Sequence, residues 1–243
     1  MKWNRIFLTG DKHLRDLVDL YDFTLRADTS CNDLLVILGD VGLNFYHQYH
    51  PKTVKMKEFL KQLPITLLCL RGNHEARPST LANMHWERPF DDGSGPVMVE
   101  EGYPNIYYVP DPCAIYFING KSFFCVNGAY SVDKWYRLAN HYTWFEDEQL
   151  SDGEMKIVEK RFARQYKKFD YVLTHTCPYE WRPLHLFLSY VDQSAVDNTM
   201  EHFFSKIKEE ISFKKWYFGH YHADWDVPGE PAKMLYKSYE MIE

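Results

Sequence analysis

Short unbroken apolar runs recur along this chain, and each ends abruptly in polar residues. Ile6 to Thr9 leads into Gly10-Asp11-Lys12-His13, Leu34 to Leu38 into Gly39-Asp40, and Ile65 to Leu70 into Arg71-Gly72-Asn73-His74-Glu75. Tyr171 to Thr174 leads into His175, and Trp216 to Phe218 into Gly219-His220-Tyr221-His222. Continuous apolar runs of this length suit strands buried on both faces. Helical spacing fills the intervals: Leu14 to Leu25, Thr53 to Leu63, Met155 to Phe169 behind a Ser151/Glu154 capping box, and Asn198 to Ile211. Strands alternating with helices predict βαβ units and a largely parallel sheet.

The middle of the chain breaks this rhythm. Cys113 to Ile118, then Asn119-Gly120, then Ser122 to Val126 predicts a hairpin, because Asn-Gly suits a type I′ turn. A second layer containing antiparallel strands follows. Ala76 to Pro104, broken by Pro78, Pro89, Pro96, Pro104, Gly93 and Gly95, reads as a long loop beside the strand ends. Trp135 to Leu150 reads as a second rim segment. With no repeat, low-complexity tract or linker, residues 1–243 read as one domain.

The chemistry lies in the residues that end the runs. Asp11, His13, Asp40, Asn73, His74, His175, His220 and His222 all fall at the ends of expected buried strands. In open α/β sheets, ligands gather outside the carboxyl ends of the strands. Residues distant in sequence would then converge on one pocket, which is what a metal site needs. Two divalent ions roughly 3.5–4 Å apart need a shared carboxylate and several imidazole or oxygen ligands. This mixture of Asp, Asn and His suits Mn, Fe, Zn or Co better than Mg or Ca alone. Asp11-x-His13 and His220-x-His222 each present two side chains one residue apart, a spacing that can aim both to one side.

The blocks Asp11-Lys12-His13, Gly39-Asp40, Gly72-Asn73-His74-Glu75, Thr174-His175 and Gly219-His220-Tyr221-His222 stand in an order that resembles the calcineurin-like metallophosphoesterases. Any one block is weak; five in order, each after a strand-like run, are specific. The resemblance implies an α/β fold: a four-layer α/β/β/α sandwich with mixed sheets and a dinuclear metal site at strand carboxyl ends. It implies one ion held by Asp11, His13, Asp40 and His222, and a second by Asp40, Asn73, His175 and His220. Asp40 would bridge them. His74 matches the family's non-ligand histidine, which contacts substrate and assists the leaving group. The implied activity is hydrolysis of phosphate esters by a metal-bridging hydroxide, with Asp40 and His74 as the catalytic pair.

Departures from the family narrow this reading. The Ser/Thr protein phosphatase branch follows its second block with Asp-Arg, whose Arg grips phosphate; here Gly39-Asp40 continues Val41-Gly42-Leu43-Asn44. Leu14 replaces the glycine that many members carry after the first histidine. Protein phosphatase activity is therefore not implied. The alternatives are a nucleotide or nucleic-acid phosphodiesterase and, from another class, a binding scaffold that keeps the fold without catalysis. A scaffold predicts gaps in the ligand set, and none is present.

Composition adds modest constraints. The chain is 45% hydrophobic and 26% charged, an ordinary globular balance. A net charge of -6 argues against a dedicated nucleic-acid binder, though bound cations could still present a nucleotide with positive charge. Cys31, Cys69, Cys113, Cys125 and Cys177 form no CxxC pair, which suits a reducing cytoplasm, and no segment has the length of a membrane span. The expected partner is a phosphorylated substrate of unknown identity. Arg77, Arg88, Arg137 and Arg182 each read as a phosphate grip or a solvated arginine. Trp86, Trp135, Trp144 and Trp181 suit stacking on a base or packing equally well. Cys177 reads as a spectator, Lys12 as pointing away from the site, and His47, His50, His85, His141, His185 and His202 as surface or packing residues.

Overall fold

A computed structural model describes residues 2–13, 17–164, 167–187 and 193–242. One sheet is built from β1 (Ile6–Thr9), β2 (Leu34–Ile37), β3 (Thr66–Cys69), β4 (Met84–Glu87), β5 (Val97–Glu100) and β6 (Ile106–Tyr108), closed at one edge by the C-terminal β13 (Glu240–Ile242). The other is built from β7 (Cys113–Ile118), β8 (Lys121–Val126), β9 (Lys168–Thr174), β10 (Ser212–Phe218), β11 (Trp225–Asp226) and β12 (Ala232–Met234). The helices are α1 (Leu17–Arg26), α2 (Pro51–Lys61), α3 (Lys134–Ala139), α4 (Asp152–Ala163) and α5 (Thr199–Glu210).

Three apolar clusters define the layers. Ile6, Leu8, Val36 and Leu68 of the first sheet meet Tyr116, Phe123, Cys125 and Leu173 of the second, so the two sheets share one inner core. Phe7, Leu35, Ile37 and Leu67 point the other way, onto Leu20 and Phe23 of α1 and Met56 and Leu60 of α2. Phe124, Val172, Trp216 and Phe218 cover the opposite face with Val158 and Phe162 of α4 and Phe203, Phe204 and Ile207 of α5. Alternate strand residues therefore serve two cores, which explains why these strands are apolar without interruption. The result is the expected α/β/β/α arrangement with two mixed sheets.

Strand register positions the site. β1, β2 and β3 run parallel with Thr9 beside Ile37 and Ile37 beside Cys69, so their carboxyl ends are level. In the second sheet β8, β9 and β10 are parallel, with Val126 beside Thr174 and Leu173 beside Tyr217. The backbone bond from Gly219 N to His175 O, 2.9 Å, joins the loops that follow β9 and β10.

Some expectations need correction. Ala76 to Pro104 is not one long loop: β4 and β5 within it pair antiparallel and extend the first sheet. Both are four residues long, and Pro89 and Pro96 lie in the connection between them, outside the ladder, where a missing N–H removes no strand pairing. Such short strands leave too little alternation to read. The third expected helix stops at Ala163 rather than Phe169; Phe169 is a buried residue of β9, and residues 165 and 166 lie outside the described set. The sheets are parallel only at their centres, with antiparallel β13, β4, β5, β7 and β11 toward the edges. The first helix begins at Leu17, and expected positions 14 to 16 also lie outside the described residues. The hairpin turns as expected, with Asn119 at φ 52° and Gly120 at φ 75°, both positive as a type I′ turn requires.

Candidate metal centre

Each apolar strand stops where the backbone turns sharply. Asp11, His13, Asp40, His220 and His222 all take positive φ, between 34° and 74°. Left-handed backbone is uncommon outside glycine and costs energy, so its recurrence at five of these positions marks a built site. Two glycines let the loops close. A Cβ on Gly72 would collide with the Asp40 carboxylate, and one on Gly219 with that of Asp11. Both glycines are required by close approach, so each belongs to the geometry of its block.

The side chains converge in two groups whose ligand atoms lie within 4.8 Å of one another: Asp11, His13 and His222, and Asp11, Asp40 and His175. Asp11 is common to both, whereas Asp40 falls in the second. His13 Nε2 and His222 Nε2 face each other at 3.0 Å, and His222 Nε2 is 3.7 Å from Asp11 Oδ1. His175 Nε2 is 3.7 Å from Asp40 Oδ1, 4.0 Å from Asp11 Oδ1 and 3.0 Å from Asn73 Oδ1. His220 packs its ring edge-on against His175, centroids 4.9 Å apart, and lies in neither group. His74 is off to one side, its backbone N–H donating to Asp40 Oδ1 at 3.0 Å.

These residues fit a divalent ion. Among the described residues Asp11 Oδ1 is buried without a hydrogen-bond partner, while Oδ2 accepts from the His220 backbone N–H at 2.8 Å. A buried carboxylate oxygen left bare is costly unless a cation meets it. Mixed oxygen and imidazole donors are the set that transition-metal ions prefer.

Outer contacts fix the orientation of these candidate ligands. His175 Nδ1 donates to Leu38 O at 2.7 Å, which leaves Nε2 as the ring nitrogen aimed at Asp11 and Asp40. Asn73 Nδ2 donates to Ser131 Oγ at 2.9 Å, turning Oδ1 toward His175. Ser131 is in turn held by Glu148, whose carboxylate accepts from the Ser131 backbone N–H at 2.9 Å and from its hydroxyl. The Glu75 carboxylate accepts from Gly42 N at 2.6 Å and Gly72 N at 3.3 Å, tying the loops after β2 and β3 together. Ser131→Ala is therefore expected to free the Asn73 amide and weaken metal affinity about 10- to 100-fold. Titration of the metal-free protein with Mn²⁺ measures this, and unchanged affinity would refute the positioning role.

Charge is tightly balanced in the cluster. Burial is the largest influence on Asp11 and, helped by Asp40, pushes its carboxyl up to about 7. Burial acts to raise Asp40 as well, but His175 opposes it and holds that carboxyl well below its usual range. Burial acts to lower His175, and the two aspartates outweigh it, lifting the ring to about 9. His222 is lowered to about 4 by burial and by His13, and His220 well below its ordinary value by burial and His175. Neutral rings at His220 and His222 are the form that binds a cation.

The other candidates scatter. Lys12 is buried with Nζ on Tyr236 O at 2.7 Å and Asp19 at 3.3 Å. Arg77 is taken up by Asp147 and Glu154, Arg88 by Ser94 O, and Arg182 by Asn198 and the Tyr179 ring. Cys177 is fully buried and belongs to neither metal group. Trp181 is core, whereas Trp86 and Trp135 are exposed. Among the other histidines, His50 caps α2 and His202 stacks on Tyr179. Ser131 and Glu148 escaped the sequence reading because no spacing or run marks them; Glu148 lies within the expected rim segment, which was the one available hint.

Comparison with solved structures returns chains of low identity. A phosphopantetheinyl hydrolase from Mycobacterium tuberculosis is 12% identical, with 96% of this chain and 88% of that chain covered and a TM-score of 0.45. A 5'-nucleotidase precursor from Thermus thermophilus is 14% identical, with 96% of this chain and 48% of that chain covered and a TM-score of 0.41. Comparison with curated proteins gives no match. Residues 4–224 match the family described as calcineurin-like phosphoesterase, a span that includes every residue of the two metal groups. With five ordered blocks, a two-sheet sandwich and converging Asp and His ligands, this chain belongs to the calcineurin-like phosphoesterase family.

Proposed function

We propose that this chain hydrolyses phosphate esters with two divalent transition-metal ions. Asp11, His13, Asp40 and His222 would hold one, and Asp40, Asn73, His175 and His220 the other. The observation that carries the metal-dependent reading is the pair of candidate groups sharing Asp11, whose inner oxygen is buried and bare among the described residues; Asp40 as the shared ligand rests on the family resemblance. When bound, the ions supply Lewis acidity and lower the pKa of water enough for attack on phosphorus near neutral pH.

The chain's own residues do the rest. Asp11 and Asp40 concentrate negative charge where cations are wanted. Ser131 and Glu148 keep the Asn73 oxygen turned inward. His74, outside both groups and joined to Asp40 through its backbone N–H, would hand a proton to the departing oxygen once its ring has taken one from solvent. Its ring nitrogen Nε2 faces Asn73 Nδ2 at 3.2 Å and an Arg137 nitrogen at 3.4 Å.

Metal analysis of protein purified without chelator is the test, coupled to assays of p-nitrophenyl phosphate and its bis ester. Close to two ions per chain and metal-dependent release of p-nitrophenol are expected. No bound metal after Mn²⁺ is supplied, with neither ester cleaved, would instead support a scaffold that keeps the fold without catalysis.

A further inference from the structure

The short helix α3 is inverted relative to what burial favours. None of its residues is buried, and Trp135, Tyr136 and Leu138 are 62%, 61% and 40% exposed. The arginine between them turns in instead, only 17% exposed. Apolar burial therefore does not explain where this helix sits. What it delivers is a guanidinium beside the catalytic cluster: an Arg137 terminal nitrogen is 3.4 Å from His74 Nε2, and the guanidinium carbon is 5.7 Å from the centre of the Phe45 ring.

That guanidinium is braced but not saturated. Nε donates to Asp133 at 2.8 Å, one terminal nitrogen donates to Thr143 O at 3.2 Å, and the other faces His74. Among the described residues these contacts use three of the five N–H groups an arginine carries, leaving one on each terminal nitrogen. Two parallel N–H groups form the fork that matches two oxygens of a phosphate. Arg77, Arg88 and Arg182 are all committed elsewhere, as described above.

We propose that Arg137 is a specificity-determining residue that grips the free phosphoryl oxygens of a monoester dianion, making this site selective for terminal phosphates. The inference rests on the hydrolase reading above and deepens it. A monoester presents three unesterified oxygens and two negative charges. A diester has one charge fewer and carries an organic group on an oxygen that the fork would otherwise take. On binding, the terminal N–H now donated to His74 Nε2 passes to the phosphate, which leaves Nε2 free to take a proton from solvent and pass it to the leaving-group oxygen.

The experiment uses the full metal-loaded chain and Arg137→Met, which keeps much of the stem and removes the charged fork. Because no residue of α3 belongs to an apolar core cluster, the variant should fold, and its metal content should equal that of the wild type. Turnover of p-nitrophenyl phosphate and bis(p-nitrophenyl) phosphate is compared, and binding of inorganic phosphate is measured by calorimetry. Loss of charge-assisted hydrogen bonds predicts a fall of about 10- to 100-fold in kcat/KM for the monoester and a similar weakening of phosphate binding. The diester rate should stay within about threefold by the same reasoning. Arg137→Lys should restore charge but not the fork, and fall between the two. Equal losses on both esters would make Arg137 a mere brace for its loop and overturn the proposal, as would no loss on either. Should the wild type cleave neither ester, the hydrolase reading fails. Phosphate calorimetry then still decides Arg137: weakened binding in Arg137→Met supports it as the anion grip, and unchanged binding overturns it.

Discussion

Asp40→Asn is expected to strip the metals and with them the activity. Asparagine keeps two features of the native residue. It tolerates the left-handed backbone at φ 49°, and its Oδ1 can still accept the His74 backbone N–H now held at 3.0 Å. What it lacks is the negative charge 3.7 Å from His175. Loss of an outer-shell partner costs about 10- to 100-fold in metal affinity, and loss of a charged ligand should exceed that range. Metal content should therefore fall from about two ions per chain to below one, the number expected for a shared carboxylate. Hydrolysis should drop in step, while the circular dichroism of the folded chain is retained. A variant with full metal content and full turnover would eliminate Asp40 as a ligand.

His74→Asn should separate chemistry from metal binding. The side chain lies outside both ligand groups, and its link to Asp40 runs through the backbone N–H, which any residue supplies. Metal content should be unchanged. A positioned general acid is worth on the order of 10²–10⁴-fold, so kcat should fall by about that factor. The loss should shrink for substrates whose leaving group departs readily without a proton. Elemental analysis beside kcat for esters of graded leaving-group pKa checks both parts. Turnover at the wild-type level would remove His74 from the reaction.

These two residues were legible in the sequence because each belongs to a local block. Asp40 ends an apolar run, and His74 sits within Gly72-Asn73-His74-Glu75 after another. The pattern of apolar runs also conveyed strands buried on both faces, since such strands feed two cores and favour apolar residues throughout. The hairpin at Asn119-Gly120 was legible for a similar reason: its turn chemistry lies within two adjacent residues. The strands β4 and β5 were not, because four-residue stretches among prolines and glycines carry almost no period, and their pairing depends on the sheet they join.

The sequence by itself determined which residues end the strands, their order, and the oxygen and imidazole donors those ends offer. Only the tertiary structure decided how they meet. Asp11 lies in both ligand groups, and five of the site residues sit in left-handed backbone. Asn73 is turned by a serine 58 residues away, and His74 faces an arginine 63 residues away. The physical reason is range: strand, turn and ligand preferences act over a few neighbouring residues, whereas the orientation of a ligand and the reach of Arg137 depend on hydrogen bonds that exist only after the two sheets have packed.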